Sequence, residues 1–255
     1  KDAFKKNWKD NGHKNGKTGE YLDRSGLEKC LNDLQYNCHL KQIDIPNGKN
    51  ETEIWKIFSI VFDEINQNDE IIFDITHAFR SIPMLAMAIL NYSKVIKNVV
   101  LKGLYYGAME ALGSFEDVKK IPIEKRIIPI NDLSSFDQLM EWSIGIDQFL
   151  KSGNASLVSK LAEKSARTIL SQTKGRDRSQ HTIRKFANSL EEFSKTLSTC
   201  RGRDISATVI RLKINLENCK KVKLNAPLNK PLKPLLEKIN KQMKLFPENP
   251  DKDGI

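Results

Sequence analysis

The order of apolar segments between residues 69 and 130 restricts the fold more than any other feature of this sequence. "DEIIFDI" (69–75) is typical of a buried strand, "SIPMLAMAILNYSKVI" (81–96) of a helix that is apolar on nearly every face, and "NVVLKGLYYGA" (98–108) of a second strand. A helix that joins two neighbouring strands brings them into one sheet in parallel orientation. With a weaker last strand at 124–130, the pattern predicts an α/β fold with a parallel sheet.

The flanking segments extend this prediction on both sides. "HLKQIDIP" (39–46) suggests a short strand that stops at Pro46, and an amphipathic helix follows, capped by Asn50 or Thr52. From about residue 134 the strand signals stop, and the remaining segments have a helical period. We therefore predict two domains, an α/β domain over 1–133 and an all-α region over 134–255.

Charge is unevenly distributed along the chain. Residues 1–150 hold 19 Lys+Arg and 22 Asp+Glu, which leaves 23 (42 − 19) and 10 (32 − 22) for residues 151–255. The second part therefore carries a net charge of +13, which suits contact with a polyanion or, equally, a set of solvated helices.

The remaining composition points to a cytoplasmic protein. Four cysteines without CxxC spacing favour free thiols over disulfides or a zinc site, and we expect no metal. No apolar run approaches the roughly 20 residues of a membrane span. The chain begins at Lys1 and closes on "PENPDKDGI", so we expect it to be a segment of a longer protein.

Polar side chains follow the first strand at its carboxyl end, where α/β sheets bind ligands. Thr76 and Ser81 can donate hydroxyl protons to phosphate, Arg80 can hold a phosphate with two parallel hydrogen bonds, and His77 and Phe79 can stack on a base. No glycine-rich phosphate loop occurs, so an anionic, base-bearing ligand other than a dinucleotide or a P-loop nucleotide is favoured. The alternative is structural: Arg80 pairs with Asp74, Thr76 caps a turn and Phe79 packs.

"DEIIFDITHAFRSIPML" followed by "IKNVVLKGLYYGAME" closely resembles the CRISPR-associated Rossmann-fold (CARF) proteins of type III CRISPR–Cas systems. "KKNW", "IDIPNGKNETEIWKIF" and "FDQLMEWSIGIDQFLKSGNAS" also match, so the resemblance covers residues 1–160 well and continues loosely through "APLNKPLKPLLEKI". It implies a Rossmann-like parallel sheet whose first strand would precede Lys1. The family usually has glycine at the position of Ala78.

The resemblance also implies a ligand and a site. Such proteins bind cyclic oligoadenylate across a homodimer, and we expect the tetra-adenylate here, with no other cofactor. The residues that match the ligand-binding loop, or that end the next strand beside it, are Asp74, Thr76, His77, Ala78, Phe79, Arg80, Ser81, Tyr106 and Gly107.

Members of this family commonly carry a C-terminal HEPN ribonuclease domain, marked by Arg, four to six residues, then His. "RDRSQH" is the match, which makes Arg176 and His181 weak catalytic candidates, since about half a match is expected by chance. We therefore expect the nuclease motif beyond this segment.

The resulting hypothesis is a dimeric cyclic oligoadenylate sensor that controls a C-terminal effector, with single-stranded RNA as a partner of the effector region. Two alternatives stay open. One is a ring nuclease that degrades the messenger, and the other is a nucleic-acid-binding regulator that uses the basic helical region.

Overall fold

A computed structural model describes residues 41, 43–76, 82–199, 202–222 and 229–246 of the chain. These residues belong to two compact units. One comprises Lys1–Ile71 with His77–Leu101, and the other comprises Ile72–Thr76 with Lys102–Ile255. None of the described helices has the length and apolar composition needed to cross a bilayer.

The first unit contains two helices that pack through aromatic side chains. Helix α1 (Glu51–Asp63) begins at Asn50, whose side chain accepts the Glu53 N–H at 2.9 Å, so the predicted cap is confirmed. Strand β1 (Glu70–Asp74) follows, and then helix α2 (Ile82–Lys97). Tyr92 of α2 packs on two phenylalanine rings of α1, with ring centroids 5.5 Å from Phe58 and 5.1 Å from Phe62.

Lys97 closes the carboxyl end of α1 from its position in the last turn of α2. Its Nζ donates to the carbonyl oxygens of Phe62 at 2.6 Å and of Ile65 at 2.7 Å. The ammonium group also lies 3.7 Å from the centroid of the Phe62 ring. The Phe62 carbonyl also accepts the Ile65 N–H at 3.2 Å, so Lys97 adds a side-chain donor at the end of α1, where carbonyl groups have few intrahelical partners.

Burial of α2 differs from the sequence prediction. Ile89 and Leu90 are buried, but Met84 is 80% exposed and Val95 is 81% exposed. The expectation of a helix buried on nearly every face is therefore wrong, because its neighbours among the described residues cover one side.

The sheet has three strands in the order β1-β2-β3, with β2 at Val100–Gly107 and β3 at Ile130–Asp132. Strands β1 and β2 run parallel, since the Val100 N–H donates to the Asp69 carbonyl and the Ile75 N–H donates to the Tyr105 carbonyl. Strand β3 pairs antiparallel to β2, with Tyr106 opposite Asn131.

This sheet corrects three expectations. The last strand lies at 130–132 and runs antiparallel, and the segment before it contains a short 3-10 helix at Ile123–Lys125. Residues 43–46 form no strand. Ile72 of β1 is 68% exposed, so this strand is covered less than its apolar sequence predicts. Most described residues are helical, and the fold is consistent with the α/β class.

Between β2 and β3 lie a 3-10 helix (Met109–Leu112) and helix α3 (Phe115–Lys120). A capping box starts α3. Ser114 and Asp117 exchange side-chain-to-backbone hydrogen bonds. The Ser114 hydroxyl also donates to Asp117 Oδ2 at 2.5 Å, and this bond, followed by the bond from the Ser114 N–H, lowers the pKa of Asp117.

After β3 every described element is a helix. These helices are α4 (Ser134–Ser152), α5 (Ser156–Thr173), α6 (Ser179–Ser198), α7 (Gly202–Lys221) and α8 (Asn229–Met243). The turn from α4 to α5 uses Gly153 at φ +70°, a conformation that glycine adopts without steric cost, and its N–H donates to the Phe149 carbonyl at 2.8 Å.

One apolar core holds these five helices together. Its largest fully buried side chains are Phe186 and Phe193 on α6, while Trp142 on α4 is also buried. The members of the core are Trp142, Ile146, Phe149, Ala155, Val158, Leu161, Ala162, Ala166, Ile169, Ile183, Phe186, Ala187, Leu190, Phe193, Val209, Leu212, Leu216, Cys219, Leu232, Leu236, Ile239 and Met243.

Candidate functional site

Thr76 joins the carboxyl ends of strands β1 and β2. Its hydroxyl oxygen accepts the Gly107 N–H at 2.7 Å, and the hydroxyl donates its proton to Asp74 Oδ1 at 2.5 Å. The Thr76 N–H donates to the same carboxylate oxygen at 2.8 Å. We call these three hydrogen bonds the Thr76 clasp. Because the hydroxyl proton is donated to Asp74, the hydroxyl supports the strand ends rather than offering that proton to phosphate.

Gly107 leaves little space beside the Thr76 side chain. A Cβ at this position would lie 3.0 Å from Thr76 Cγ2 and 3.1 Å from Thr76 Oγ1, closer than side chains normally pack. A larger residue would therefore require the Thr76 side chain to shift by a few tenths of an ångström. The sequence placed Thr76 and Gly107 at the same edge of the sheet, and the structure brings them into direct contact.

Tyr106 forms a hydrogen bond that the sequence did not reveal. Its phenol donates to Glu110 Oε1 at 2.7 Å, from the end of β2 to the following 3-10 helix. This bond raises the pKa of Tyr106 and lowers the pKa of Glu110. Glu110 thus belongs to the candidate site, and its four-residue spacing from Tyr106 was the available signal.

Ser134 fastens the sheet to helix α4. Its hydroxyl accepts the Leu104 N–H at 3.0 Å, and its own N–H donates to Asp132 Oδ1 at 2.8 Å. The Leu133 N–H donates to the Leu104 carbonyl at 2.7 Å. Strand β2, which ends in the candidate site, is therefore tied directly to the first residues of α4.

Five of the nine predicted ligand-binding residues lie outside the described residues: His77, Ala78, Phe79, Arg80 and Ser81. Of the nine, Asp74, Thr76, Tyr106 and Gly107 are described, and Thr76 contacts both Asp74 and Gly107. Ligand binding by this set stays a prediction.

The weak catalytic candidates Arg176 and His181 are both exposed where α5 gives way to α6. Arg176 helps line an open depression of about 550 Å³ with Gln172, Thr173, Lys174 and Asp177, and His181 does not. The Asp177 carboxylate accepts the Ser179 N–H at 2.8 Å. Hydrogen bonds from Ser179 lower the pKa of Asp177. The two candidates are thus near in sequence without sharing this depression.

Within the described part of the chain, no group of three or more His, Cys, Asp or Glu side chains is arranged to hold a metal ion. Cys219 is buried in the helical core, and burial raises its thiol pKa to about 12. At neutral pH this cysteine is an unreactive thiol.

Comparison with known proteins shows what the helical part of the chain is similar to. Residues 138–246 match the family described as "CRISPR-associated protein MJ1674, second domain". The match begins within α4 and ends just beyond α8, so it covers the helical part of the protein. The helical part of the chain is thus similar to the second domain of the CRISPR-associated MJ1674 family, which is consistent with a CRISPR-related role.

A curated relative supports the same class. CRISPR-associated protein MJ1674 of Methanocaldococcus jannaschii is 34% identical over 156 residues. These residues are 60% of this chain and 23% of the relative, so the chain spans about a quarter of that protein's length. These similarities support the predicted CRISPR association, whereas the CARF and HEPN assignments stay predictions.

Proposed function

We propose that this protein is a dimeric sensor of cyclic oligoadenylate in type III CRISPR defence. The observation that carries the proposal is the meeting of two parallel strand ends, where the Thr76 clasp brings Asp74 and Thr76 of the signature to Gly107. Carboxyl ends of adjacent parallel strands are the usual ligand position in open α/β sheets. The resemblance of "DITHAFRS" to the CARF signature names the ligand class.

This geometry supports different roles for different residues of the signature. Asp74, Thr76 and Gly107 hold the strand ends together, so the position at which the segment after Thr76 begins is fixed by these hydrogen bonds. Arg80 then supplies the charge that neutralises a phosphate of the ring. Tyr106, at the adjacent strand end, offers an aromatic ring near the same edge.

The output of the sensor is control of an effector. Strand β2, which carries Tyr106 and Gly107, is hydrogen-bonded to the start of α4 through Ser134. A change in the position of β2 on ligand binding would therefore be transmitted directly to the first residues of α4. We propose a homodimer with a Rossmann-like sheet, and a HEPN ribonuclease as the effector. The CRISPR association of the helical part supports this assignment.

Calorimetric titration of the dimer with cyclic tetra-adenylate and cyclic hexa-adenylate tests the proposal. We expect tight binding of the tetra-adenylate and a loss of about 1.5–3 kcal/mol in Arg80→Ala, on the order of a charge-assisted hydrogen bond left unmade. Arg167→Ala is the matched control, because Arg167 is an exposed side chain on α5 whose nearest carboxylate, Glu163, lies 3.8 Å away.

The titration separates the rival functions. If the parent protein binds neither ring, the proposed sensor function is refuted. If Arg80→Ala binds the ring as tightly as the parent does, the binding site has been placed at the wrong residues. Chromatography of the recovered ligand then distinguishes a sensor, which returns the intact ring, from a ring nuclease, which returns linear product.

A further inference from the structure

A cluster of basic side chains surrounds the connection between α5 and α6. Its members are Lys174, Arg176, Arg178, Arg184 and Lys185, all of them exposed. We call this surface the basic corner. It lies in the helical part of the chain, and the argument for it does not depend on the messenger site.

The basic corner is not neutralised by the described part of the protein. No salt bridge links any of its five side chains to a described carboxylate, and the nearest acid in sequence, Asp177, accepts the Ser179 N–H at 2.8 Å. Four other exposed basic residues of helices α4 to α7 have acidic partners, whereas Lys160 and Lys164 on α5 have no salt bridge to a described carboxylate. The pairs are Lys151–Asp147, Arg167–Glu163, Lys195–Glu191 and Arg211–Glu192.

Helix dipoles explain only one member of the cluster. Lys174 stands at the carboxyl end of α5, where a cation is favoured, whereas Arg178 directly precedes the first residue of α6, where a cation is disfavoured. Arg184 and Lys185 lie in the second turn of α6, too far from its end for the dipole to account for them.

Two members of the basic corner share one face of α6. Lys185 lies seven residues beyond Arg178, which is close to two helical turns, and the rise between them is roughly 10 Å, about three nucleotide steps along one strand. Arg184 is also exposed, one position before Lys185, while Ile183 and Phe186 are buried in the core. Lys174 and Arg176 line an open depression before the start of α6, together with Asp177.

We infer that the basic corner binds the phosphodiester backbone of nucleic acid without reading its sequence. Guanidinium groups match phosphate geometry, and a row of unpaired cations gains binding energy by releasing counterions.

The test uses the whole 255-residue chain and fluorescein-labelled U20 RNA without messenger, with anisotropy read from 50 to 300 mM NaCl. The variant R178Q/R184Q/K185Q leaves Arg176 and His181 intact. We expect it to bind roughly tenfold to a hundredfold more weakly at 100 mM NaCl, and the slope of log K against log salt to fall by about 2. The charge-matched control K230Q/K233Q/K238Q removes three exposed lysines from α8. We expect the control to change the affinity and the salt dependence by less than a third of the change seen in R178Q/R184Q/K185Q.

Additional variants and ligands serve as controls. R178K/R184K keeps the charge, so its slope of log K against log salt should equal that of the parent. Circular dichroism should show that every variant is folded. Equal binding of dT20 DNA means that phosphate alone is contacted, and stronger binding of RNA means that the sugar contributes as well. The inference is overturned if parent U20 binding is absent, if the α8 control loses as much affinity, or if polyglutamate of equal charge binds as tightly as U20.

Discussion

Replacing Thr76 with valine would test whether the Thr76 clasp holds the two strand ends together. Valine keeps the shape of the side chain but removes the oxygen that lies 2.7 Å from the Gly107 nitrogen and 2.5 Å from Asp74 Oδ1. A hydrogen bond of this kind contributes about 1 kcal/mol, so we expect the free energy of unfolding to fall by about 2 kcal/mol. For a chain of this size that loss lowers the melting temperature by about 4–8 °C.

Hydrogen exchange provides a local measurement beside the melting curve. The Gly107 amide should exchange faster in Thr76→Val, because its acceptor has been removed, whereas the Val118 amide within α3 should be unaffected. Thr76→Ser is the control, since it keeps the hydroxyl and should preserve Gly107 protection. An unchanged Gly107 exchange rate in Thr76→Val, together with parent-like melting, would refute the clasp.

Three further substitutions test packing. Gly107→Ala should lower stability by about 1–3 kcal/mol, since the new Cβ would lie 3.0 Å from Thr76 Cγ2, and a parent-like thermal melt would contradict this contact. Phe186→Ala should cost about 3–5 kcal/mol in denaturant unfolding, because Phe186 is fully buried, while Ile72→Ala should stay within about 0.5 kcal/mol, because Ile72 is 68% exposed. Equal losses in these two variants would show that Ile72 is buried in solution by a partner.

Helix positions could be predicted because their signals are local. Asn50 caps α1 as expected, and Pro83 lies in the first turn of α2, where its missing N–H costs nothing. The helical period after residue 134 likewise corresponds to α4 through α8. A cap, a proline and an apolar period each act within one or two turns, so the chain segment contains all the necessary information.

Burial could not be predicted with the same success. Ile72 and Met84 are apolar residues in apolar segments, yet both are largely exposed. Periodicity shows which residues share a face, but coverage of that face depends on which other elements pack there. The antiparallel direction of β3 has the same origin, since the direction of a strand is set by the path of the chain around it.

For the candidate site, the sequence by itself determined which chemical groups stand at the ends of β1 and β2. It could not determine what each group binds, and Thr76, expected to donate to phosphate, instead donates to Asp74. Only the tertiary structure decided that Thr76 meets Gly107, 31 residues away, and that Tyr106 donates to Glu110. A hydrogen bond requires two atoms within about 3 Å of each other, and strand pairing rather than separation along the chain sets that distance.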